Sequence, residues 1–227
     1  MAVLGFDPSL THFGWVLLDE HGKGKDRLLD FGTFATTRSD GLLVQRLILQ
    51  RERARQLIKS TGVNFVSMEA PYWQDFSTEL LFALNQFLHS VFLDLEVFVL
   101  YLQPMSLKKA AVPDMNPHDA TKHHITHAAK TELDKHGRRF SEHVSDAYFA
   151  GKVGCKFYKW FILRELNDSD LTKDEWNLFC GKHTFKRGVK KGITEYKGII
   201  YKENDQFFDY RKNYKRSKQI IKDVQNG

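Results

Sequence analysis

The segment Val3-Leu4-Gly5-Phe6-Asp7-Pro8-Ser9 decides the fold, because a short apolar run ends in a carboxylate and is then stopped by proline. This pattern predicts a buried β-strand with Asp7 at its end. The segment Val63-Asn64-Phe65-Val66-Ser67-Met68-Glu69 repeats the arrangement, with Pro71 as the stop. If the two strands are neighbours in one sheet, Asp7 and Glu69 converge.

A second polar pair lies in Ser141-Glu142-His143-Val144-Ser145-Asp146-Ala147. His143 and Asp146 are three residues apart, which turns both side chains toward one side of a helix. Taken singly, each residue has an ordinary explanation, since an aspartate before proline forms turns and a polar helix face is usually solvated. Their combination on two strand ends and one helix favours a single site that also includes Asp7 and Glu69.

Convergent carboxylates are the ligands that Mg²⁺ and Mn²⁺ prefer in proteins. Two such ions, roughly 3.5 to 4 Å apart, can activate a water molecule and stabilise the leaving oxygen of a phosphodiester. The residue pattern therefore predicts a two-metal site whose chemistry suits cleavage of nucleic acid.

The order of these motifs resembles the RuvC family of Holliday junction resolvases, within the ribonuclease H-like nuclease superfamily. The resemblance covers about residues 1 to 165. The similar segments follow the family's order: Leu4-Gly5-Phe6-Asp7-Pro8-Ser9, Thr11-His12-Phe13-Gly14-Trp15, Val66-Ser67-Met68-Glu69, Gln103-Pro104 with Leu107-Lys108-Lys109, Lys122, and His143-Val144-Ser145-Asp146-Ala147.

The resemblance implies an α/β, ribonuclease H-like fold: a mixed five-stranded sheet flanked by helices. It implies a magnesium-dependent endonuclease that acts as a homodimer and resolves four-way junctions by paired symmetric nicks. Asp7 is expected to bridge the ions, with Glu69 on one side and Asp146 with His143 on the other. Many family members carry aspartate at the position of His143, so Glu142 is a rival ligand. Ser9 departs from the family's usual glycine.

Candidate DNA contacts flank this site. Lys108, Lys109 and Lys122 are candidates for phosphate contacts, although the first two could be ordinary surface lysines. The loop after Glu69 carries three aromatic residues, which could stack on unpaired bases at a branch point or, for tryptophan, close the core. These aromatic residues are Tyr72, Trp73 and Phe76.

The basic charge is concentrated in the C-terminal third. Residues 1–150 hold 16 Lys and Arg against 18 Asp and Glu, whereas residues 151–227 hold 18 against 10. We therefore predict a nuclease domain over 1–166 and a basic extension over 167–227 that binds DNA or supports a dimer. A solvated basic face is the alternative. The candidate DNA-binding cluster in the extension is Lys186, Arg187, Lys190 and Lys191.

The spacing of apolar residues predicts helices over about 41–60 and 77–94, the second with an apolar side that could form a dimer interface or lie in the core. These apolar residues are Leu81, Leu84, Leu88 and Phe92. Asn116 followed by Pro117 predicts a helix start, so that residues 117–136 should form a helix that ends before Gly137.

Several function classes are disfavoured. No apolar run approaches the roughly 20 residues that cross a bilayer, and the N-terminus has no signal-peptide pattern. We therefore expect no membrane partner and a cytoplasmic, DNA-associated protein. A compact core with a basic extension is compatible with a phage protein that acts in the host cytoplasm. Glycine-rich phosphate loops are missing, which argues against a nucleotide cofactor. A nuclease for flaps, forks or other branched nucleic acid and a non-catalytic junction-binding protein remain the alternatives.

Overall fold

The computed structural model of the protein describes residues 2–70, 76–133, 140–180, 182–184, 194–196, 200–203 and 206–209. Its strands are β1 (Ala2–Asp7), β2 (His12–Asp19), β3 (Leu28–Ala35), β4 (Phe65–Glu69), β5 (Phe98–Leu102), β6 (Lys182–Thr184), β7 (Thr194–Tyr196), β8 (Ile200–Glu203) and β9 (Gln206–Asp209). Its α-helices are α1 (Leu43–Thr61), α2 (Phe76–Asp94), α3 (Pro104–Ala111), α4 (Lys122–Leu133), α5 (Glu142–Phe157) and α6 (Lys173–Cys180).

The first five strands form one mixed sheet in the order β3-β2-β1-β4-β5. β1, β2 and β3 are antiparallel neighbours, whereas β4 runs parallel to both β1 and β5. The predicted fold class, a mixed five-stranded sheet flanked by helices, is confirmed. Parallel pairing of β1 with β4 matters most for function, because it brings the ends of both carboxylate strands to one edge of the sheet.

Helices cover both faces of this sheet. Leu4 and Phe6 of β1 pack in a core that also holds buried residues of α1 and α2. Val3, on the opposite face of the same strand, packs in a second core with residues of α3, α4 and α5. Alternating side chains of one buried strand therefore serve two apolar layers.

The apolar side of α2 lies mostly inside the molecule. Leu84, Leu88 and Phe92 are all buried in the core that α2 shares with α1, and Leu81 is half-buried. The sequence left open whether these residues form a dimer interface or lie in the core. The three buried residues lie in the core. The homodimer stays a prediction.

Two glycines let α5 lie directly against the sheet. A Cβ atom on Gly5 of β1 would stand 2.1 Å from the carbonyl oxygen of Ala147 and 2.6 Å from the amide nitrogen of Gly151. A Cβ atom on Gly14 of β2 would stand 2.2 Å from the carbonyl oxygen of His143. Since these contacts involve backbone atoms, which cannot rotate away, any larger residue would push α5 off the sheet.

The segment after α5 packs on the same core as the sheet. α5 continues into a π-helical turn over Tyr158–Ile162, in which Trp160 is buried. Its indole stacks on Phe179 of α6 with ring centroids 5.6 Å apart, and Phe179 is fully buried.

The C-terminal strands form two antiparallel pairs, in which β6 pairs with β7 and β8 pairs with β9. The division into domains after residue 166 stays a prediction.

The predicted start of the fourth helix is wrong. Asn116 does not cap a helix: its side-chain oxygen accepts a hydrogen bond from the amide of His118 at 3.1 Å, and its carbonyl accepts one from Asp119 at 2.9 Å. These bonds form a turn, and α4 begins only at Lys122. A local side-chain bond has competed successfully with helix formation. The predicted end near Gly137 lies outside the described residues.

None of the helices in the described part of the chain has the length and apolar character of a bilayer-spanning segment.

The close approach at Gly5 predicts a large destabilisation for Gly5→Ala. We expect this variant to lose on the order of 3 kcal/mol of unfolding free energy, because the added methyl group meets the backbone of α5. Gly62→Ala is the matched control: Gly62 has a φ of 66° but an open environment, so roughly 1 kcal/mol should be lost. Urea denaturation measures both. Equal stability of Gly5→Ala and the wild-type protein would contradict the packing described above.

Candidate functional site

Asp7 and Glu69 end the two neighbouring parallel strands. β1 and β4 are in register with Gly5 opposite Ser67, and the two carboxylates follow two positions later on each strand. Residues two apart on a strand point to the same face. Because Gly5 and Ser67 both contact α5, Asp7 and Glu69 lie on the face that α5 covers.

The first turns of α5 supply the other two predicted site residues. Ser141 caps the helix by accepting a hydrogen bond from the amide of Val144 at 3.2 Å. This cap fixes the start of the helix, so that His143 lies over the end of β1. Nδ1 of His143 lies 2.8 Å from Oδ2 of Asp7, and their side chains are only 21% and 14% exposed. Two of the residues predicted to converge, 136 positions apart in the chain, are thus joined by a hydrogen bond.

Burial, and for Glu69 and Asp146 also the charge of Asp7, raise the pKa values of the carboxyl groups. Burial first, then the charges of Asp7 and Asp146, raise the pKa of Glu69 from 4.5 to about 8. Burial and then the charge of Asp7 raise the pKa of Asp146 from 3.8 to about 7. Burial also raises the pKa of Asp7, against the opposing effect of its hydrogen bond with His143. Asp7, Glu69 and Asp146 therefore share one poorly hydrated region in which three negative charges are unfavourable.

Glu142 lies at the mouth of the site and has a different partner. Its Oε1 accepts a hydrogen bond from Nζ of Lys122 at 3.0 Å, and both side chains are about half exposed. That hydrogen bond holds the pKa of Glu142 below its usual range. The same oxygen lies 3.7 Å from Nε2 of His143. The structure thus pairs His143 with the partly buried Asp7 and pairs Glu142 with an exposed lysine.

The two adjacent lysines of α3 face different parts of the molecule. The positive charges of Lys122 and Lys108 both act to lower the pKa of Glu69, which places them near the carboxyl groups. Lys109 instead donates a hydrogen bond to the carbonyl of Pro113 and lies 3.9 Å from Asp174 of α6. It lines a cavity of about 1030 Å³, together with other residues of α3, α5 and α6 and of adjoining loops, and none of the four predicted site residues lines it.

Other predicted DNA contacts cannot be placed relative to the site. Phe76 begins α2, but its side chain is outside the described structure. The remaining candidates lie outside the described residues and stay predictions: Tyr72, Trp73, Lys186, Arg187, Lys190 and Lys191.

One residue at the site, His12, was not among the site residues predicted from the sequence. The ring of His12, at the start of β2, stacks on the ring of His143 with centroids 5.7 Å apart and planes within 6°. The signal that could have identified it is strand alternation, because His12 precedes Gly14 by two positions and so shares the face that meets α5.

The donor chemistry of the site fits a hard divalent cation. Carboxylate oxygens suit such ions, and a bound cation would relieve the repulsion that raises the pKa values of Glu69 and Asp146. Within the described part of the chain, no group of three His, Cys, Asp or Glu side chains is close enough together to hold an ion as it stands. Mg²⁺ is typically held by one or two carboxylates together with water and substrate phosphate, so a closed protein cage is not required.

Comparisons with known proteins support the fold independently. The structure is similar to that of Thermus thermophilus RuvC, with a TM-score of 0.58 and 22% sequence identity over 70% of this chain and 96% of that one. It is also similar to T. thermophilus RuvC in complex with a Holliday junction substrate, with a TM-score of 0.56 and 20% identity over 70% of this chain and 95% of that one. No protein-family model matches the sequence, and no curated protein matches it. At this level of identity, the comparison shows a RuvC-like fold.

The raised pKa values predict that the metal-free protein loses stability as the pH rises. The folded state retains protons on Glu69 and Asp146 that the unfolded chain has already released, so the unfolding free energy should fall between about pH 4.5 and pH 8. Glu69→Gln should remove the part of this pH-dependent loss of stability that Glu69 causes. At pH 8 the variant should therefore exceed the wild type in unfolding free energy by a few kcal/mol, on the order of 1.4 kcal/mol per pKa unit.

Urea denaturation in the presence of a chelator, at several values between pH 5 and pH 8.5, measures the effect. Glu52→Gln, an exchange of the same kind at an exposed position of α1, is the control and should keep the wild-type slope. An identical pH dependence for Glu69→Gln and the wild-type protein would contradict the electrostatic description of the site.

Proposed function

We propose that the protein is a divalent-metal-dependent endonuclease that resolves four-way DNA junctions. The observation that carries this proposal is the convergence of three partly buried carboxyl groups, in which the charge of Asp7 adds to burial in raising the pKa values of both Glu69 and Asp146. A protein that only bound junctions would gain nothing from burying like charges together. The similarity to a RuvC solved with a Holliday junction supports the choice of substrate.

The proposed cofactor is a pair of divalent ions, either Mg²⁺ or Mn²⁺. The residues that would hold it are Asp7, Glu69, Asp146 and His143. When bound, such ions supply Lewis acidity toward a phosphodiester. A neutral His143 that donates its Nδ1 proton to Asp7 keeps the lone pair of Nε2 free to act as a ligand.

The side chains around the carboxyl groups have separable roles. The hydrogen bond from His143 holds one oxygen of Asp7, Oδ2, in place. Lys108 and Lys122 provide positive charge beside Glu69, where a substrate phosphate would otherwise be repelled. Since Lys122 is half exposed and paired with Glu142, a phosphate can replace Glu142 as its partner without uncovering any buried group.

The different partners of His143 and Glu142 predict which of them is the fourth ligand. We expect His143→Ala to weaken Mn²⁺ binding by roughly 10- to 100-fold, the range typical of losing one metal-ligand interaction. Glu142→Gln, which keeps the size of the side chain, should change the affinity less than threefold, since Glu142 is paired with Lys122. Isothermal titration with Mn²⁺ measures both. A large loss for Glu142→Gln with none for His143→Ala would assign the position to Glu142 instead.

Two symmetric cuts in one junction require two active sites related by a two-fold axis, so the proposal includes a homodimer on DNA. The test is incubation of the purified full chain with an end-labelled mobile four-way junction, with and without Mg²⁺. We expect paired nicks at matching positions in two opposed strands, only when the divalent ion is present. Products should carry a 5′ phosphate and a 3′ hydroxyl, and a ligase should therefore seal them.

The key variant in the same assay is Asp7→Asn, which keeps the shape of the side chain but removes its charge. It should bind the junction in a gel-shift assay with wild-type affinity and cut it at least 100-fold more slowly.

Flap, fork and RNA–DNA hybrid substrates are tested in the same assay. Faster cutting of those substrates would redirect the proposal to another branched nucleic acid, and undiminished cleavage by Asp7→Asn would overturn the assigned site.

A further inference from the structure

His12 makes the ring contact with His143 from a fixed backbone position. It is paired in the sheet with Ala35 of β3, and its amide donates a hydrogen bond to Oγ of Ser9 at 3.4 Å. The residue is exposed, and its strand is paired with β3 at this point and with β1 from Gly14 onward. The imidazole of His12 is therefore carried by a backbone position that is paired in the sheet.

The imidazole of His143 is contacted in three directions. Its Nδ1 edge meets Oδ2 of Asp7 at 2.8 Å, and its Nε2 edge lies 3.7 Å from Oε1 of Glu142. The ring of His12 lies against it in an offset stack, nearly parallel and with centroids 5.7 Å apart. A hydrogen bond at one edge still allows the ring to tilt about that bond. Contact with a parallel ring opposes this tilt, because tilting would break the stack.

We propose that His12 is a positioning residue for His143. By stacking on the imidazole, His12 holds the plane of the ring so that Nδ1 keeps its hydrogen bond to Asp7 and Nε2 keeps its direction. The inference builds on the proposed function, because the position of His143 matters most when a cation is bound. The interaction that His12 supplies is the flat face of its ring, so another aromatic residue can replace it.

The first test needs no metal. In chelator, with ¹⁵N-labelled histidine, we expect the Nδ1 proton of His143 to give a protected NMR signal in the wild-type protein and in His12→Phe. In His12→Ala the signal should broaden or disappear through faster exchange with water. His21→Ala, which removes another exposed histidine just after β2, is the control and should leave the signal unchanged.

The second test is Mn²⁺ binding by the full chain. Loss of one aromatic contact predicts that His12→Ala weakens binding by about 2- to 10-fold, whereas His12→Phe stays within about twofold of the wild type. In a His143→Ala background, the same His12→Ala change should have no effect on the residual binding, because the ring that it positions is gone. In junction cleavage, His12→Ala should lower kcat and leave KM unchanged.

Three outcomes would overturn the inference. Wild-type NMR and Mn²⁺ binding in His12→Ala would show that the stack positions nothing. Equal losses in His12→Phe and His12→Ala would show that a ring nitrogen, rather than the flat face, is required. A rise in KM without a change in Mn²⁺ binding would make His12 a DNA contact. Because the NMR and binding measurements do not depend on cleavage, they separate this inference from a failure of the junction assay.

Discussion

The main constraint on this structure is that three carboxyl groups of like charge lie together in one poorly hydrated region. Burial raises the pKa values of Asp7, Glu69 and Asp146, and the charge of Asp7 raises those of the other two further. Such an arrangement opposes folding at neutral pH, and a proton or a cation can relieve it. Oxygen donors of this kind suit a hard divalent ion, which is the basis of the proposed function.

Two features of the fold impose the arrangement. The parallel register of β1 with β4 places the carboxylates of both strands side by side, and glycines at the contact let the backbone of α5 approach the sheet closely. Neither feature involves the charged groups themselves. Gly5 and Gly14 thus contribute to the site through packing alone. Larger residues at these positions would displace α5 from the sheet and move His143 away from Asp7.

Much of this was predictable from the sequence, for identifiable reasons. The strand ends at Asp7 and Glu69 are marked by an apolar run and a nearby proline, and the three-residue spacing of His143 and Asp146 indicates a shared helix face. These are local signals with one dominant explanation each. They were sufficient for the fold class and for the convergence of His143 with Asp7, although the direct hydrogen bond between them was not predicted.

Other features depended on tertiary contacts that the sequence pattern does not encode. Asn116 carries a standard helix-start signal, yet its side chain closes a turn instead. Lys108 and Lys109 are adjacent, but only the helix orientation decides that the first faces the carboxyl groups and the second faces Asp174. His12 was overlooked because an exposed histidine at a strand start has no distinguishing pattern until its neighbour on α5 is known.

Anomalous diffraction from crystals of the full chain soaked in Mn²⁺ would locate bound ions at the carboxyl groups. We expect Mn²⁺ peaks roughly 2 to 2.5 Å from a carboxylate oxygen of Asp7, with Glu69 or Asp146 as a further ligand of the same ion pair. Peaks only elsewhere on the protein, or an Asp7 carboxylate directed away from both other carboxyl groups, would contradict this expectation.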